Sequence, residues 1–79
     1  MKNEKIKINL KNVGDIKKFI SLTERYRSDI DIMTSRTVID AKSIIGILAL
    51  DLNDDVYVRI ISDDIAEHRK FAAEMEDFR

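Results

Sequence analysis

The chain has 79 residues, 14 basic and 15 acidic, for a formal net charge of −1. That length supports one domain with one small core, and the near-even balance gives no general attraction to nucleic acid or to an anionic membrane surface. With 44% hydrophobic residues and no cysteine, the composition is that of an ordinary globular protein held by neither a disulfide framework nor a thiolate metal site.

We expect a single domain over residues 1–79, located in the cytoplasm. Met1-Lys2-Asn3-Glu4-Lys5 has charge but no apolar run behind it, and no stretch approaches the ~20 apolar residues that span a bilayer.

Ile6, Ile8 and Leu10 alternate with Lys5, Lys7 and Asn9, the period of a strand with one buried face. From Asn12 the period lengthens. Ile16, Phe19, Ile20, Thr23 and Tyr26 predict a helix, with Asn12 as its N-cap and Asp15 complementing the positive end of the dipole. Ile30 and Ile32 alternate with Asp29 and Asp31, Thr34-Ser35-Arg36 interrupts, and Thr37-Val38-Ile39 resumes. A hairpin is expected, although Arg36 stands where a tight turn often takes Gly or Asn.

Ser43 is a natural N-cap for a short helix in which Ile44, Ile45, Ile47, Leu48 and Leu50 are apolar nearly all round. Such a helix cannot bury every side, so one or two of these residues must meet water or a partner. Ile44 and Leu48, one turn apart, are the expected outer pair. After the polar turn Asp51-Leu52-Asn53-Asp54-Asp55 comes a fourth strand with Val56, Val58 and Ile60 on one side. A last helix begins near Ser62-Asp63-Asp64, with Ile65, His68, Phe71, Ala72, Met75 and Phe78 expected inside.

The order βαββαβα predicts an α+β open-faced sandwich, a four-stranded antiparallel sheet with helices on one face. Phe19, Ile20, Val58, Ile60, Phe71 and Met75 are its expected core.

Few residues suggest chemistry. Asp51, Asn53 and Asp55 have the spacing that opens a calcium loop, but Val56 replaces the required glycine and Ser62 stands where the glutamate belongs. One histidine gives no histidine-rich metal site. We expect neither a metal nor a cofactor. Lys11, Lys17 and Lys18 form a small basic cluster that reads as a solvated face.

Asp40-Ala41-Lys42-Ser43-Ile44-Ile45-Gly46-Ile47-Leu48-Ala49-Leu50 resembles the segment around the regulatory serine of HPr, the phosphocarrier of the bacterial sugar phosphotransferase system. Element order and length agree along essentially the whole chain. The resemblance implies four antiparallel strands under two long helices, with the short helix exposed as the docking site for partners, which would be proteins of the phosphotransferase system or a regulator. Partner-binding residues are then Ile44, Ile45, Ile47 and Leu48. It also implies phosphorylation of Ser43 by a kinase of the HPr kinase type, with added charge favoured at a helix start beside Lys42, against the plainer reading of Ser43 as a cap.

The family's phosphorylation motif, Gly-x-His-Ala-Arg-Pro-Ala, belongs at the start of the first helix, where this chain reads Lys11-Asn12-Val13-Gly14-Asp15-Ile16. Asn12 stands at the histidine, Gly14 at the arginine and Asp15 at the proline. An amide has no basic lone pair to take a phosphoryl group, so the resemblance implies a non-enzymatic regulatory or protein-binding module without phosphorelay. The alternative is a phosphocarrier with an unconventional acceptor such as His68, whose imidazole is the suitable group but whose helix position fits a half-buried edge.

Overall fold

Alternation of β-branched and polar residues builds four strands: β1 (Ile6–Ile8), β2 (Asp29–Met33), β3 (Val38–Asp40) and β4 (Val56–Ile61). They form one antiparallel sheet in the order β1-β4-β2-β3. The structure, a computed structural model, describes residues 4–79. The charged start at Met1, Lys2 and Asn3 lies outside the described residues.

Register puts Ile6, Val58, Ile32 and Ile39 in one row across all four strands. Ile8 pairs with Val56 and Ile30 with Ile60 on the same side, so one face of the sheet is apolar and must be covered. Helices α1 (Val13–Thr23) and α3 (Ile65–Met75) cover it. All six expected core residues are buried. Phe19 meets Phe78 edge-to-face at 5.6 Å, and Tyr26 meets Phe71 in the same way at 5.7 Å.

Three expectations need correction. α1 ends at Thr23, so Tyr26 lies beyond it, in a turn closed by the Tyr26 N–H on the Thr23 carbonyl. Its ring is buried all the same, because the turn folds it under α3. Ile65 and Ala72 are exposed rather than inside. At about 100° per residue they stand roughly 120° and 100° round the helix from Phe71, off the stripe that Phe71, Met75 and Phe78 share. Phe78 itself belongs to a 3₁₀ turn (Glu76–Phe78) that extends α3.

The short helix α2 (Ile44–Leu48) sits against β3 at one edge of the sheet. Gly46 permits this approach, since a Cβ there would lie 3.0 Å from Ile39 Cδ1 and 3.3 Å from Ser43 Oγ.

Candidate functional site

Asn12 caps α1 from an extended backbone, and its Oδ1 accepts the Asp15 N–H at 2.8 Å. The Asp15 carboxylate in turn accepts the Lys11 N–H at 2.9 Å. Cap and first-turn acid therefore hold each other in place, a reciprocal arrangement close to a capping box. A Cβ on Gly14 would lie 3.1 Å from Asn12 Oδ1, so a side chain at that position would crowd the cap.

An open depression lies beside the cap, lined by Leu10, Asn12, Val13, Leu52 and Asn53 among others. Asp54 also lines it. The Ser35 hydroxyl donates to Asp54 at 2.7 Å and the Asp55 N–H at 2.8 Å, and these bonds hold its carboxyl below the ordinary range. The site thus presents amides, an ammonium and carboxyl groups, with no imidazole at the helix start. Val13, the first residue of α1, is largely exposed.

Ser43 is exposed and caps α2, its Oγ accepting the Gly46 N–H at 3.2 Å. Lys42 does not stand beside it. Its Nζ donates to the carbonyls of Tyr26 and Ser28 at 2.7 and 3.2 Å, so the ammonium expected next to Ser43 is spent on the α1–β2 turn.

Of the four apolar residues proposed for docking, Ile44, Ile45 and Leu48 are exposed and Ile47 is completely buried. Ile47 therefore belongs to the core and not to the surface. Helical geometry explains the split, since Ile45 lies about 160° from Ile47 while Ile44 and Leu48 lie about 60° and 100° round on the same side. Ile45, at 80% exposure, is the outermost of them, a position that the expectation of an Ile44 and Leu48 pair overlooked.

His68 lies in the first turn of α3, half-buried, with Nε2 donating to the Ser62 carbonyl at 2.7 Å. That bond fixes the ring against its own helix start. In the 51–55 turn, Asp51 accepts the Asn53 N–H at 3.0 Å and Asp55 pairs with Lys7 at 3.3 Å. These side chains serve the backbone and the neighbouring strand.

A second cluster had no local signal in the sequence. Tyr26 donates its hydroxyl to Glu74, and Ser28 donates to Glu67 at 2.6 Å. Together they staple the α1–β2 turn to α3. Burial, then Glu74, pushes the Tyr26 hydroxyl well above its ordinary pKa. The Ser28 hydroxyl, with Ser62, pulls Glu67 down.

The family model described as "PTS HPr component phosphorylation site" matches residues 15–78. The matched span opens at Asp15, one residue after Gly14. A solved structure, "Crystal structure of HPr-C-His from Thermoanaerobacter tengcongensis", is 26% identical, covers 96% of this chain and 92% of its own, and superposes with a TM-score of 0.72. No curated protein sequence matches the chain.

Proposed function

We propose, for a chain that belongs to the HPr family, a regulatory or protein-binding role without phosphoryl relay. The family carries phosphoryl groups between proteins of the phosphotransferase system, which makes a protein of that system, or a regulator of it, the partner to seek.

One observation carries the reading. The start of α1 is occupied by Asn12, an amide committed to capping, and Asp15 adds negative charge beside it. The family's relay there uses an imidazole nitrogen, which neither supplies, and the Asp15 carboxylate, a group that forms acyl phosphates in other enzymes, is engaged by the Lys11 N–H. The exposed Ile44, Ile45 and Leu48 on α2 support the docking half of the reading, as an apolar group beside a cap that can take charge.

The test is incubation with phosphoenolpyruvate and enzyme I, read by intact mass. No phosphoryl adduct is expected. An adduct that disappears in His68→Ala would establish His68 as an unconventional acceptor, and one that persists would place the relay elsewhere in the chain. Either adduct defeats the proposal.

A further inference from the structure

The two edges of the sheet are finished differently. β3 and β1 each pair with a single strand, β3 with the short helix α2 beside it and β1 with the long helix α3. Just past β1 the Asn9 N–H turns away from β4 to the Phe78 carbonyl. Backbone groups alternate sides along an antiparallel strand, so those of Lys7, two residues earlier, also point out of the sheet. Among the described residues no backbone group from outside the sheet bonds them.

This edge faces a groove between β1 and α3, with Ala72 exposed on the α3 side and the buried Phe71 and the β4 residue Ile60 beneath it. Its rim carries four basic residues, Lys5, Lys7, Arg69 and Arg79, against one acidic residue, Glu4. Lys5 and Arg69 have no ion-pair partner among the described residues, and those of Lys7 and Arg79 are exposed pairs of little strength.

We propose that the β1 edge accepts an extended acidic peptide as a fifth strand, with alternating acidic and apolar residues. The alternation follows from the pleat. On the open face an added strand lies beside Lys5 and Lys7, which favour carboxylates. On the helix face it lies beside Ile6 and over Ala72, which favour an apolar side chain, and backbone bonds to Lys7 supply the remaining affinity. The same lysines reject a second copy of β1, because antiparallel self-pairing would set lysine against lysine. The groove is at the opposite edge from α2, so this contact is independent of the function proposed above.

The test uses the full chain and a short labelled peptide of alternating glutamate and valine, read by fluorescence polarisation. Saturable binding is expected, weakened about tenfold or more by Lys5→Glu with Arg69→Glu, with slowed hydrogen exchange at the Lys7 amide. Both substituted side chains are exposed, and the single change Arg69→Gln provides a milder variant whose binding should also fall. Absence of binding, equal binding by the variants, an unprotected Lys7 amide, tighter binding of single-stranded oligonucleotide, or self-association through β1 would each overturn the proposal.

Discussion

Lys42 Nζ stands 2.7 Å from the Tyr26 carbonyl oxygen, across from the short helix whose cap it precedes in the chain. The same ammonium reaches the Ser28 carbonyl, so one cation satisfies two acceptors of the turn between α1 and β2. Replacing Lys42 by methionine keeps the stem and removes both bonds. We expect a loss of about 1 to 2 kcal/mol in urea unfolding, since charge-assisted bonds at a partly buried site exceed neutral ones.

This arrangement also bears on Ser43. A phosphoryl group there would meet the N-terminus of α2 without a free ammonium from Lys42, so Ser43→Asp should leave the unfolding midpoint of the parent nearly unchanged. A stabilisation abolished by Lys42→Met would show that Lys42 leaves the turn to meet the new charge.

Tyr26 links the turn to α3 and gives the fold an alkaline limit. Its folded pKa lies above the ordinary value of 10.0, because of burial and the Glu74 carboxylate. A raised phenol pKa contributes stability that is fully present below about pH 10 and is lost as pH rises from there toward the folded value. The urea midpoint should therefore fall above about pH 10 more steeply in the parent than in Tyr26→Phe. Parallel curves would remove the Tyr26–Glu74 bond from the account.

Tyr26 also shows how far the sequence could be read. Its spacing from Thr23 continues the helical period, and hydrophobic periodicity cannot distinguish a last helical turn from a turn that tucks its aromatic ring under another element. The alternating strands were legible because each has one wet face. The absence of an imidazole at the start of α1 was equally plain. The α3 staples through Glu67 and Glu74 were not, because their partners lie 39 and 48 residues away and nothing local marks them. Lys42 beside Ser43 in the chain suggested a charge partner, but a long side chain goes where its acceptors are.

Phe71 meets the Tyr26 ring edge-to-face and opens the buried stripe of α3, itself fully buried. Phe71→Ala should cost ~3 to 5 kcal/mol, a large share of what a domain of this size has. Thermal melting checks this directly, and an unchanged midpoint would mean that the α3 register is wrong.

Asn12→Ala should cost about 1 kcal/mol, the usual worth of a side-chain cap, with the loss confined to the α1 start in hydrogen exchange. Asn12→His with Gly14→Arg should destabilise further, since the new side chain at 14 enters the space Asn12 Oδ1 uses. A cap substitution without effect would show that the Lys11 N–H bond to Asp15 holds the helix start alone.

Opposed faces of α2 allow the docking reading to be separated from simple stability. Ile45 is its most exposed residue and Ile47 its fully buried one, and they differ by two positions in one short helix. Ile45→Asp and Leu48→Asp change only the surface, so each should stay within ~0.5 kcal/mol of the parent. Ile47→Ala empties a core position and should cost ~2 to 5 kcal/mol. If α2 is the docking surface, Ile45→Asp and Leu48→Asp should lose the binding to a phosphotransferase-system protein that the parent retains, measured by calorimetry with enzyme I. Ile47→Ala should bind as the parent does at temperatures where it remains folded. Binding that survives both aspartates, with the fold intact, would move the docking site away from α2.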